Sequence, residues 1–335
     1  MKLLKKTIAA VSVAAMAISM CACGNSAPAA SSTAAASSAA AGKTYTVGIC
    51  QLVQHEALDA ATEGFKEALV AELGEKAVVF DEQNAQNEAT TCATIINGLV
   101  QKKVDLILAN ATPALQAAQA GTNTIPVLGT SITEYGVALD IKDFNGTVGT
   151  NISGTSDLAP LDKQAEMLKE VLPNAKSVAL LYCSAEANSK YQVEKVGEAL
   201  TKLGLTTKEY KFTDSNDLPS VLQQIVTDKV DAVYVPTDNT VASNTELLNS
   251  KLVASKIPVI AGEEGIAKGC GVATLSISYH DLGVATGKMA AKILKGEAKV
   301  SEMPIEYAPQ FTKKYNKEIC DKLGIKIPSG YEEIK

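Results

Sequence analysis

The chain contains no tryptophan and no arginine, so all 31 of its basic residues are lysines. Without a guanidinium fork there is no bidentate clamp for a carboxylate or phosphate. Any anion must instead be held by lysines, hydroxyls, amides and backbone N–H groups. Histidine is nearly absent, with only His55 and His280, and aromatic residues make up 4% of the chain. No Gly-x-Ser-x-Gly elbow, phosphate loop or His/Cys cluster at ligand spacing is present, so catalysis, a metal and a cofactor all lack support. There is no basic run, and the net charge is −6 over 335 residues. That excludes the positive face a nucleic-acid binder needs to displace counterions. Beyond residue 43 no uncharged apolar run approaches the ~20 residues of a bilayer span. What the chain does have is 46% hydrophobic content and 20% charge, enough to build sizeable cores.

The beginning reads as an export signal. Met-Lys-Leu-Leu-Lys-Lys is followed by an apolar stretch from Thr7 to Met20 and then by small residues around cysteine. Ala22 puts a small residue before Cys23, so Cys23 is the expected lipidation site and residues 1–22 the removed leader. Lys2, Lys5 and Lys6 leave with that leader, and the remaining chain carries −9. Residues 23–43, rich in Ser, Ala and Gly, cannot bury enough surface to order themselves and read as a flexible tether. Five further cysteines, Cys50, Cys92, Cys183, Cys270 and Cys320, lie far apart and mostly within apolar runs. They read as core residues, with a disulfide among them as the alternative.

From residue 44 onward, short apolar runs alternate with helix-length segments. The runs are 45–50, 77–80, 104–109, 125–129, 177–182, 207–212, 232–235, 257–261 and 272–275. This alternation predicts an α/β fold with parallel sheets covered on both faces. The two halves also repeat one another. Lys103-Val104-Asp105 returns as Lys229-Val230-Asp231, and Ile125-Pro126-Val127 returns as Ile257-Pro258-Val259, in the same order. Two similar doubly wound lobes joined by a hinge are therefore expected: 44–151 plus 276–302, and 152–275 plus 303–335. The hinge would lie near 149–153 and 274–278, with a helix over 281–294 returning to the first lobe and another over 312–323 in the tail.

Ligands of such sheets bind beyond the carboxyl ends of the strands. The loops there hold uncharged hydrogen-bonding residues where helices begin, and helix N-termini favour anions. Thr112 (as cap of a helix starting at Pro113), Ser184, Asn188, Ser189 and Thr240 are the candidates for an anion seat. Asp238 is the candidate counter-ion for an ammonium. The pair describes an α-amino acid. Plain helix capping is the alternative role for Thr112, Asn188, Asp238 and Asp281, and His55 could simply start a helix. Tyr135, Tyr182 and Tyr279 lie where they could stack on an aromatic ring.

Gln54-His55-Glu56-Ala57-Leu58-Asp59 resembles the first-loop motif of the tryptophan/tyrosine-type ABC transporter substrate-binding proteins. Ala111-Thr112-Pro113-Ala114, Ser184 through Ser189, Pro236-Thr237-Asp238-Asn239-Thr240 and His280 through Gly287 also resemble motifs of that family. The resemblance covers nearly all of residues 44–296. It implies the type I periplasmic-binding-protein fold and no enzymatic activity. It also implies ligand-contact roles for Gln54, His55, Thr112, Pro113, Thr130, Ser184, Asn188, Ser189, Asp238, Asn239, Thr240 and Asp281. The implied partners are a small amino-acid-like ligand, an aromatic one above all, and a permease with its ATPase. The chain would act as a monomer, lipid-anchored on the outer face of the cell membrane or in the periplasm. At Thr130-Ser131-Ile132-Thr133-Glu134 the sequence departs from the family's Thr-Asp-Pro, which leaves the ligand's identity open. A ligand-sensing receptor of the same fold and an extracellular enzyme are the alternatives.

Overall fold

The computed structural model describes residues 43–335. The expected leader (1–22), the lipidated Cys23 and the tether up to residue 42 lie outside the described residues. The first run of elements is β1 (Tyr45–Gln51), α1 (Glu56–Leu73), β2 (Val78–Asn84), α2 (Ala89–Lys102), β3 (Leu106–Asn110), α3 (Thr112–Gly121), β4 (Val127–Ile132), α4 (Tyr135–Ala138) and β5 (Ile152–Ser156). The second run is α5 (Leu161–Val171), β6 (Ser177–Cys183), α6 (Ala187–Lys202), β7 (Thr206–Phe212), α7 (Leu218–Asp228), β8 (Ala232–Val235), α8 (Asn239–Ala242), α9 (Thr245–Leu248), β9 (Val259–Ala261), α10 (Glu264–Cys270) and β10 (Ala273–Ser276). The chain ends with α11 (Tyr279–Leu294), β11 (Glu306–Tyr307), β12 (Thr312–Tyr315), α12 (Lys317–Leu323) and β13 (Glu332–Glu333).

The central strands form two sheets with the same internal order, β2-β1-β3-β4-β5 in one and β7-β6-β8-β9-β10 in the other. The sequence repeat has a physical counterpart at the strand entrances. Asp105 accepts the Thr46 N–H at 2.8 Å, and Asp231 accepts the Ser177 N–H at 2.8 Å. Each acid latches the start of its lobe's first strand. In both copies the preceding lysine, Lys103 or Lys229, turns the chain through the left-handed region.

The boundaries between lobes differ from those expected. Residues 152–156 pair with β4 in the first sheet, so the first crossing follows Ser156 instead of lying at 149–153. Gly154 has φ +143, and a Cβ there would collide with Gly129 O, so β5 can lie against β4 only with glycine at this position. The second crossing falls between Ser276 and Tyr279, and α11 packs along α1 on the first lobe. Gly283 allows this close approach, since a Cβ would meet Ala61 O. The tail is divided. Its first part adds β11 to the first sheet, and after a third crossing β12 pairs antiparallel with β10 in the second. The expected helix over 312–323 is therefore a strand followed by a shorter helix. Asn316 starts that helix by accepting the Ile319 N–H at 3.1 Å.

All five described cysteines are buried and unpaired. Among the described residues no helix is long and apolar enough to cross a membrane.

Candidate ligand-binding cleft

In each sheet the crossovers part to opposite faces between the first and third strands, which opens a crevice at their carboxyl ends. The two crevices face one another. His55, just before α1, brings its Nε2 to 3.2 Å from Asn239 Oδ1 at the start of α8. Asn87 donates to Thr240 Oγ1 at 3.0 Å, the hydroxyls of Thr133 and Thr237 lie 3.3 Å apart, and Lys268 bridges to Glu56 at 2.9 Å. These contacts close the lobes around a cavity lined by His55, Ala57, Leu58, Ser131, Asp157, Asn188, Thr237, Asp238, Asn239, Ala242, Glu263 and Tyr279. Its free volume is about 10 Å³, against roughly 300–1,000 Å³ for small-molecule pockets. As it stands, the cavity is too small to hold an amino acid.

The cavity is rich in buried acid. Asp238 accepts the Val241 N–H at 2.9 Å through Oδ1 and the Cys183 N–H at 2.7 Å through Oδ2. It thus caps α8 and ties the loop after β6 to the loop after β8. Burial, with Glu186 nearby, pushes its pKa up to about 8. Glu263 caps α10 through the N–H groups of Gly265 and Ile266, and burial raises it to about 7. Glu186 serves a helix other than the one it precedes. Its carboxylate accepts from the N–H groups of Asn239 (3.0 Å) and Thr240 (2.9 Å), and from the side chains of Asn239 (2.6 Å) and Thr240 (2.9 Å). The anion seat at the start of α8 is thus filled by the protein's own carboxylate.

Asp157 differs from these acids. It lies on the first crossing, its Oδ2 accepts the Tyr279 hydroxyl at 2.8 Å, and burial raises its pKa. Burial lowers the pKa of His55, so the ring is neutral at neutral pH. Because the Asn239 Nδ2 donates to Glu186, its Oδ1 faces His55, and the proton sits on His55 Nε2.

Three buried polar atoms in this cavity lack any hydrogen-bond partner: Ser131 Oγ, Asp157 Oδ1 and Asn188 Oδ1. Backbone strain accompanies them, since Ser131 (φ 56) and Ala111 (φ 90) occupy the left-handed half of conformational space at the ends of β4 and β3. Unsatisfied buried groups and strained backbone concentrate at functional sites.

Of the residues expected at the site, His55, Asn188, Asp238 and Asn239 line the cavity. Ser189, Thr130 and Thr240 are buried but outside its lining, and Thr130 receives the Thr155 hydroxyl at 3.3 Å. Thr112 is buried as the first residue of α3 with Pro113 after it, so Ala111 takes the cap position and Thr112 does not cap. Gln54 and Ser184 are exposed, and Ser184 donates to Phe212 O. Asp281 is exposed in a groove at the crossings, with its N–H donated to the Ser278 cap. Of the tyrosines, Tyr135 is held by Gly129 O and Thr155 O and Tyr182 by Glu209, which leaves Tyr279 at the cavity. Sequence reasoning passed over Asp157 and, although Ser131, Thr237 and Glu186 stand in the strand-end loops, assigned them no role of their own. An acid one residue past a buried polar strand was the only signal for Asp157. Among the described residues no group of three or more His, Cys, Asp or Glu is placed to hold a metal.

Comparison with known proteins agrees with this geometry. Residues 46–332 match the family described as ABC transporter substrate binding protein. A tyrosine-binding protein of Clostridioides difficile is 36% identical over 266 residues, covering 78% of this chain and 76% of the relative. The crystal structure of an ABC domain from Streptococcus pneumonia in complex with L-Trp superposes with a TM-score of 0.82 at 34% identity, covering 87% of this chain and all of the other. A ligand-free, open substrate-binding protein with adhesive properties from Clostridium difficile superposes less well, with a TM-score of 0.66 at 38% identity, covering 87% of this chain and 99% of the other. With a type I periplasmic-binding-protein fold of two facing lobes and a polar cleft between them, the chain belongs to the ABC transporter substrate-binding protein family.

Proposed function

We propose that this protein is the lipid-anchored receptor of an importer, closing over an amino acid, preferably an aromatic one, and presenting it to a membrane permease with its ATPase. The observation that carries the reading is the interlobe cavity with its three unpartnered buried polar atoms. Burying such atoms costs about 1–3 kcal/mol each, which a polar ligand would recover. His55, Asn188, Asp238 and Asn239 are proposed as lining contacts. Tyr279 is the aromatic ring available to stack on the ligand. The closer match to a tryptophan-bound relative than to an open one, at similar identity, supports closure as the ligand-linked state. The tyrosine-binding relative supports an aromatic amino acid. The anchor rests on Ala22-Cys23 and the tether behind it.

A thermal-shift screen of the twenty amino acids tests the ligand. At 100 times the dissociation constant the true ligand adds about 2.7 kcal/mol of stability. A screen with no shift for Tyr, Trp or Phe removes the aromatic assignment. Cys23→Ala tests the anchor, with release of the protein from the membrane fraction as the expected result.

A further inference from the structure

The acids around the cavity are unequally provided for. Glu186, Asp238 and Glu263 each accept backbone N–H groups at a helix start, so their oxygens are already engaged by the protein. Asp157 stands at no helix start, since α5 begins after Pro160. Its Oδ2 holds the Tyr279 hydroxyl, and its Oδ1 faces the cavity with no partner. The nearby Thr133 hydroxyl is engaged by Thr237 and by Gln192 Nε2. No lysine lines the cavity. Of the other two unpartnered atoms, Asn188 Oδ1 can only accept, and Ser131 Oγ can donate or accept. The unpartnered atoms of the cavity are therefore mostly acceptors, and no lysine offers them positive charge.

We infer that Asp157, and not Asp238, is the counter-ion of the ligand's ammonium group, with Asn188 Oδ1 accepting a second N–H. This rests on the amino-acid reading above and deepens it by assigning the residue that selects for an amine. Ser131 is the hydroxyl left to donate to the ligand's carboxylate. Position explains the choice. Asp157 lies on the first crossing and Tyr279 just after the second, so the pair stays together as the lobes part. Asn188 arrives from the second lobe on closure. The amine is captured first and enclosed afterwards.

The test compares L-tyrosine and L-tryptophan with 3-(4-hydroxyphenyl)propionate and indole-3-propionate, which lack only the amine, by titration calorimetry. In Asp157→Asn both amino acids should weaken by about 30-fold or more, while the deaminated acids change by less than about 3-fold. Tyr279→Phe keeps the carboxylate but loosens its aim, and should produce a smaller loss confined to the amino acids. Equal losses for amino acids and deaminated acids in Asp157→Asn overturn the assignment, as does a selective loss in Asp238→Asn that Asp157→Asn lacks. Wild-type protein that binds neither amino acid overturns the aromatic reading on which the assignment rests, and that outcome is seen before any variant is made.

Discussion

Glu186 offers the sharpest test of how the second lobe is held together. It is 3% exposed, and its two oxygens receive four hydrogen bonds from Asn239 and Thr240 and a fifth from Asn188 at 3.2 Å. Hydrogen bonds to a charged acceptor contribute about 1.5–3 kcal/mol each, but burying the carboxylate offsets much of that sum. Some of the orphaned donors would also regain water. Glu186→Ala should therefore destabilise the protein by about 3–5 kcal/mol, and Glu186→Gln, which keeps one accepting oxygen, by about half as much. At about 2–4 °C per kcal/mol for a lobe of this size, the alanine variant should melt about 6 °C or more below wild type. Urea unfolding measures the energy directly. Added formate should restore part of the loss in Glu186→Ala by occupying the vacated helix start, and nothing in wild type. A midpoint within about 0.5 kcal/mol of wild type would refute the claim that an internal anion organises α8.

Three further outcomes are expected. Asp157, Asp238 and Glu263 all have raised pKa values in the folded state. The folded protein therefore holds protons that the unfolded chain releases, and ligand-free stability should fall as pH rises from about 4 to about 8; a rise across that window in urea titrations would contradict the burial of these acids. Gly154→Ala should cost more than about 2 kcal/mol, because backbone of β4 occupies the space and φ is positive, and a melting curve matching wild type would contradict the close β4–β5 approach. Lys268→Ala removes an exposed bridge between lobes and should shift closure by no more than about 1 kcal/mol, read as a less than 5-fold change in ligand affinity; a larger loss would make that pair part of the closure mechanism.

How much could be read beforehand follows from what each element buries. Strands such as Leu106–Asn110 and Ala232–Val235 are covered on both faces, so they read as continuous apolar runs. Ile152-Ser153-Gly154-Thr155-Ser156 is equally buried yet carries one bulky apolar residue. It is accommodated by the missing Cβ of Gly154 and by hydroxyl partners, Met303 O for Ser153 and Thr286 at 2.8 Å for Thr155. No hydrophobic pattern reports that kind of burial. At the cleft, residues that begin helices next to a strand end, such as His55, Asn188, Asp238 and Asn239, were found because local rules place them. Ser131 was set aside for its neighbour Thr130, where the β4–β5 register shifts between Gly129 and Ile132. Asp157 lies on a crossing between lobes, just past β5, which strand-end reasoning did not visit. Glu186 looks like the cap of its own helix and instead organises one 53 residues away.

The three crossings bear on how the molecule comes into being. The first sheet receives its edge strand only at Glu306–Tyr307, and the second receives its last two strands only between Thr312 and Glu333. Neither lobe is complete until nearly the whole polypeptide has been made. Final assembly must then wait for the carboxyl end, so a chain cut short before Glu306 lacks the pieces that finish both sheets.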